Sequence, residues 1–150
     1  MKSKYAVIAV AAALSTATSA MAQCPVPTPS ASASGWRVEA GDNGYVAESA
    51  RYPDVTVRLD MHSPGRPEIL FWRALPQYGG RVGVMRFFAG EPGTSYLVTL
   101  VDQVVVDLTT GREIGRGTYT EDCNPVEWTW HKNRVEVDDP GFGRQVFELP

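Results

Sequence analysis

The chain has 150 residues, of which 43% are hydrophobic, and carries 14 basic and 17 acidic side chains for a formal net charge of −3. That length suits one domain able to bury its own core without staples. The mild acidity, with no basic block, argues against nucleic acid as a partner.

The N-terminus comes first. Lys2 and Lys4 precede an uncharged apolar run from Ala6 to Leu14, small polar residues follow, and Ala20-Met21-Ala22 ends the segment. A positive start, an apolar centre and an A-x-A site predict a secretory signal peptide over residues 1–22, cut before Gln23. The apolar run is far shorter than the roughly 20 residues a membrane-spanning helix needs, so no membrane span is expected. The destination expected is the periplasm or the exterior. Loss of Lys2 and Lys4 takes the basic count from 14 to 12 against 17 acidic groups, a net of −5. Eleven of those twelve are Arg, and only Lys132 is Lys.

Cys24 and Cys123 are the two cysteines. In an oxidising compartment an isolated pair most simply bonds to itself. The bridge would close a loop of about 100 residues, which chain entropy values at up to about 4–5 kcal/mol. The alternative for Cys24 is lipidation, although Gln23 rather than a small residue stands before it. Residues 23–34, rich in Pro, Ser and Ala, read as a linker that cannot build a core. The folded domain is expected over 35–150.

From Trp36 onward the pattern is strands and turns. Strands on either side of Asp42-Asn43-Gly44 predict a hairpin. Val55, Val57, Leu59 and Met61 alternate with polar residues, the mark of a half-buried strand. Ser63–Pro67 breaks the chain. The continuous apolar run Ile69–Trp72 reads as a central strand. Strands are also expected at 82–88, 96–101 and 104–108, and Asp107–Arg112 as a tight hairpin with Gly111 left-handed. A strand over 113–119 precedes the Cys123-Asn124-Pro125 turn. A two-residue turn at Lys132-Asn133 sets Trp130 opposite Val135 and Trp128 opposite Val137. A last strand covers 145–149. Short strands at 8–12-residue spacing, with no 3.6-residue periodicity, predict a single antiparallel β-sandwich or partly open β-barrel of about 8–10 short strands. Gly83, Gly115 and Gly117 inside strands suggest bulges or corners.

Few residues point to chemistry. There is no CxxC, HxH or HExxH spacing, so no metal is expected. No Gly-rich loop links a strand to a helix, and no cofactor is expected. Asp60 and His62, two apart on a strand, share a face; Asp60 could orient the imidazole and the ring could act as a general base. The plainer reading is a solvated pair on a wet face. Trp36 is expected to be the most exposed tryptophan and, with Arg66 and Glu91 on the loops Ser63–Pro67 and Ala89–Gly93, is a candidate binding residue. The preferred reading is an exported, non-catalytic protein-binding module of the cell envelope, of inhibitor, immunity or assembly-accessory type. A small-ligand-binding β-barrel is the first alternative, and a hydrolase using Asp60 and His62 the second. The partner is another envelope or secreted protein, or a small ligand; the oligomeric state is open.

Overall fold

The computed structural model describes residues 31–90, 100–120, 126–139 and 142–150. The fold is all-β, as the spacing of strands and turns predicts. Ten strands form three antiparallel sheets, and none closes into a barrel among the described residues. The first outer sheet holds β1 (Arg37–Gly41), β2 (Gly44–Ser49) and β3 (Tyr52–Leu59) in chain order. A four-stranded sheet follows, built from β4 (Glu68–Ala74), β5 (Val82–Gly90), β6 (Leu100–Asp107) and β7 (Glu113–Thr120). The second outer sheet is ordered β10-β9-β8, from β8 (Glu127–Trp130), β9 (Arg134–Asp139) and β10 (Gly143–Glu148).

The four-stranded sheet lies between the other two, and its composition explains why. Side chains alternate between faces along a strand. On β5 and β6, Met85, Phe87, Ala89, Val104 and Val106 pack with Val55, Val57 and Leu59 of the first outer sheet. Val82, Val84 and Val105 point the other way and pack with Val135, Leu149, Tyr78 and, at its edge, Phe147. A strand buried on both faces reads as a continuous apolar run, whereas an outer strand alternates. The first pattern is that of Val104–Val106; the second is that of β3, where Val55, Val57 and Leu59 are buried and Thr56 and Arg58 are exposed. The architecture is therefore a three-layer sandwich with two cores.

Three expectations change. Ile69–Trp72 belongs to β4, which stands at the edge of its sheet rather than in its centre; it is apolar because both faces are covered. The break expected at Asp102-Gln103 is absent: β6 runs from Leu100 through both residues with their side chains buried, and residues 96–99 of the first expected strand lie outside the described residues. Gly83 and Gly117 lie in regular register rather than at bulges, whereas Gly115 stands beside one. Each lies under an aromatic ring: a Cβ would meet Trp72 at 2.3 Å, Phe147 at 2.6 Å and Trp128 at 3.0 Å, respectively. Among the described residues the register shifts between Glu48 and Ser49, between Ile69 and Phe71, between Phe88 and Gly90, and next to Gly115, where Ile114 is skipped opposite Val105 and Val106.

Other details follow the sequence closely. Gly41 pairs with Gly44 across the Asp42-Asn43 turn. Trp130 faces Val135 and Trp128 faces Val137. Gly111 has φ +72°. In its turn, Asp107 Oδ1 accepts the Thr109 amide at 2.8 Å and Oδ2 accepts the Thr110 hydroxyl at 2.9 Å. The packed region also starts earlier than composition suggests: Ala31–Gly35 forms a 3-10 helix, and Ala33 is part of the first core.

Candidate functional site

The first outer sheet stops at Leu59, while the sheet beneath it continues. Beside Val104 and Val106, and past them at Asp102, polar groups occupy the same face. Asp102, Arg116 and Thr118 share this face, because Asp102 pairs with Thr118 and Val104 with Arg116. The bulge at Ile114 adds Glu113 to it. Residues three apart on a regular strand point to opposite faces, and the extra residue brings them back to one. Glu113 thus takes Arg116 side-on, with Nε to Oε1 at 3.0 Å and Nη2 to Oε2 at 2.9 Å.

The loop after β3 closes over this end. The His62 amide donates to the carbonyl of Ala89 at 2.8 Å, at the bulge of β5. Gly90, at φ +104°, leaves room for the Ser63 side chain; a Cβ there would stand 2.0 Å from Ser63 Oγ. The loop is therefore seated on an irregularity of the middle sheet, and His62 is held over Asp102.

Asp102 is 1% exposed, a buried carboxylate in a small β-domain. Such a group is costly unless it is bonded or paired. Its Oδ1 accepts the Thr118 hydroxyl at 2.7 Å and lies 3.3 Å from His62 Nε2, and its Oδ2 lies 3.6 Å from Arg116 Nη1. The same Nη1 is 3.5 Å from Asp60 Oδ2, and Asp60 is bound in turn by Arg58 at 2.9 Å. Burial of the Arg116 guanidinium works against its charge, but Glu113 above all, then Asp60 and Asp102, outweigh it and hold its pKa above the usual arginine value. The result is a chain of alternating charges, open at His62, whose side chain is 39% exposed.

Asp60 and His62 therefore come to one cluster, but not as their spacing implies. They lie beyond the end of β3, not on it. The carboxylate that holds the imidazole is Asp102, from the neighbouring layer, and Asp60 serves the arginines instead. With Nε2 engaged, Nδ1 is the ring atom left for a proton exchange. The signal for Asp102 was present in the sequence as an acidic residue inside an apolar strand. Arg116 and Glu113 gave none, because their shared face depends on the bulge.

Two surface clefts flank the loop 63–67. One, of about 560 Å³, is lined by Asn43, Tyr45, Asp60, Ser63, Pro64 and Gly65 among others. The second, of about 440 Å³, is lined by Trp36, Val38, Glu39, Arg66 and Pro67 among others. Trp36 and Arg66 thus meet at one cleft. Trp36, expected to be partly exposed, is only 7% exposed. Its ring packs at 4.5 Å from Trp72 and stacks at 6.0 Å on Tyr52, so it forms a floor rather than a projecting surface. Arg66 is exposed and donates from Nη2 to the Val38 carbonyl, tying the loop to β1. Glu91, Cys24 and Cys123 lie outside the described residues. Among the described residues, no group of three or more His, Cys, Asp or Glu side chains is placed to hold a metal ion, and no helix is long and apolar enough to cross a membrane.

Compared with family models, curated proteins and solved structures, the chain finds no match in any of the three.

Proposed function

We propose that the chain is an exported, non-catalytic protein-binding module of the cell envelope. In this reading residues 1–22 are removed on export, and Cys24 and Cys123 form a disulfide in the periplasm or outside the cell. The observation that carries it is the loop 63–67, an exposed ridge between clefts of about 560 and 440 Å³. A partner loop or side chain entering either cleft would meet a rigid wall, since the ridge is held by the His62 amide on one side and by Arg66 on the other. A preorganised surface loses little entropy on binding, which favours recognition. The described sheets do not close into a barrel, which gives the surface clefts more weight than an enclosed small-ligand site.

The test is affinity capture from envelope extract with the exported chain, alongside Pro64→Arg and Arg66→Glu. Both residues are exposed, so neither change disturbs the core. One partner held stoichiometrically by the unmodified chain and lost by both variants is the expected result. A partner that both variants retain, or no partner at all, refutes the reading. Reduced and non-reduced mass measurement of the same protein tests the bridge; two free thiols in the exported chain exclude it.

A second reading rests on a different observation, the 3.3 Å approach of His62 Nε2 to the buried Asp102. A carboxylate that fixes an imidazole also prepares it as a general base, and hydrolysis is the chemistry such a pair serves. It requires turnover of an ester or amide that His62→Gln abolishes; turnover that survives the substitution excludes it.

A further inference from the structure

The second outer sheet ends in β10, and no described strand pairs with the outer side of β10. Its side chains are exposed apart from the half-buried Phe147, and Val146, at 51% exposure, is one of two exposed large hydrophobic residues among those described. An exposed edge strand of this kind is a template for pairing with another chain.

The hydrogen-bond phase of β10 fixes which groups are free. The Leu149 amide donates to the Asn133 carbonyl, directly across from it, at 2.8 Å. Antiparallel pairs alternate between bonded and non-bonded, so the backbone groups of Phe147, Gln145 and Gly143 point to β9 as well. Those of Arg144, Val146 and Glu148 point away from the sheet. An incoming antiparallel strand must match these three.

A second copy of β10 does so. In the register that sets Val146 opposite Val146 of the copy, all three outward residues of each strand pair with outward residues of the other. Arg144 then stands opposite Glu148 of the copy, twice, related by the two-fold axis. Within one chain Glu148 is already opposite Arg134, and Arg144 opposite Asp138, which it binds at 2.8 and 3.0 Å. The dimer would therefore carry unbroken rows of alternating charge, Arg134, Glu148, Arg144 and Asp138, on both sides of an apolar Val146 pair. A slip by one residue sets outward groups against inward ones, and a slip by two sets Arg144 against Val146 or Pro150, losing the ion pairs.

We infer that the chain associates with a second copy of itself through antiparallel pairing of β10, joining two three-stranded sheets into one of six. The contact is isologous, so it closes as a dimer. It lies on the layer opposite the loop 63–67, and it leaves both clefts of each copy open.

The test is sedimentation velocity of the exported chain over a range of concentrations, with Arg144→Glu and Glu148→Arg. Each substitution alone places like charges opposite each other twice in the homodimer, and should weaken association by about tenfold or more. Mixed one to one, the two variants restore both ion pairs, so the mixture should associate more tightly than either variant alone. Loss of fold or of a contact within one chain cannot produce that recovery. Val146→Lys, which sets two ammonium groups face to face, should leave a monomer with an unchanged far-ultraviolet spectrum. A chain that stays monomeric at high concentration, or a mixture no more associated than its components, overturns the inference.

Discussion

Gly115→Ala is a single-methyl test of the three-layer packing. Phe147 of β10 lies flat on the backbone of β7, and a Cβ on residue 115 would stand 2.6 Å from two ring carbons and 2.7 Å from a third. Carbon atoms rest at about 3.5–4.0 Å, so the ring must retreat by about 1 Å. It has little freedom to do so, because Phe147 is paired with Val135, which is fully buried. Overpacking of this kind costs about 1–3 kcal/mol. Against it stands a gain of about 0.4–1 kcal/mol from the stiffer unfolded chain. The net loss expected is about 1–2 kcal/mol, read as a lower midpoint in guanidinium unfolding at constant slope. In a Phe147→Ala background the obstacle is gone, and the same methyl should become neutral or stabilising. The gain from the stiffer unfolded chain is common to both backgrounds, so the two measurements together give a coupling energy of about 1–3 kcal/mol between residues on different sheets. Equal effects of Gly115→Ala in both backgrounds would show that the second outer sheet does not rest on β7 as described.

Two further predictions concern charge. Partial burial raises the pKa of Asp107, but the amides of Thr109 and Thr110 and their hydroxyls outweigh it and hold the carboxyl below its usual value. An acid depressed in the folded state adds stability that is complete above its unfolded pKa, about 3.9, and is lost as pH falls through the folded value. Asp107→Asn should therefore flatten the acid limb of a stability profile below about pH 4, and an unchanged limb in denaturant titrations counts against the turn's role. Arg116→Met removes the cation facing Asp102, and leaves a carboxylate that is 1% exposed with only Thr118 and His62. The cost expected is about 3 kcal/mol, less what water reaching His62 returns. Asp102→Asn added to that variant should recover part of it in the same unfolding assay, and a further loss would refute the pairing.

What the sequence made legible is what depends on neighbours. The hairpins at Asp42-Asn43 and Lys132-Asn133 were readable because a turn and its flanking alternation fix register locally. The alternation of Val55, Val57 and Leu59 correctly marked a strand with one wet face. The number of layers was harder to see. A continuous apolar run says that both faces of a strand are covered, not where the strand sits, so the run in β4 suggested a central position although it lies at an edge. The glycines misled for a related reason. Gly83, Gly115 and Gly117 are explained by Trp72, Phe147 and Trp128, which are 11, 32 and 11 residues away in sequence; Trp72 reaches Gly83 from the neighbouring strand, and the other two meet their glycines only across layers.

The polar site shows the same limit and gives it a cause. Asp60 and His62 were visible as a pair, while the carboxylate that holds His62 lies 40 residues further on. Asp102 would be a liability anywhere along β6 that the first outer sheet covers with Val55, Val57 and Leu59. It is tolerated where that sheet ends and a loop takes over, because a loop can bring an imidazole and backbone groups where a strand would bring another valine. The bulges at Ala89 and Ile114 lie toward opposite ends of β6 but serve the same cluster: the first, beside Leu100, receives the His62 amide, and the second, beside Val106, aims Glu113 at Arg116. Two irregularities and one buried acid in a single polar cluster on the middle layer are a departure from the packing around them. Stability alone does not call for it, since an apolar residue of similar volume at position 102 would remove the need for Arg116, Thr118 and His62 together. The cleft of about 560 Å³ beside the loop 63–67 takes in Asp60 of this cluster, and under the proposed binding role it is there that substitutions should separate binding from folding.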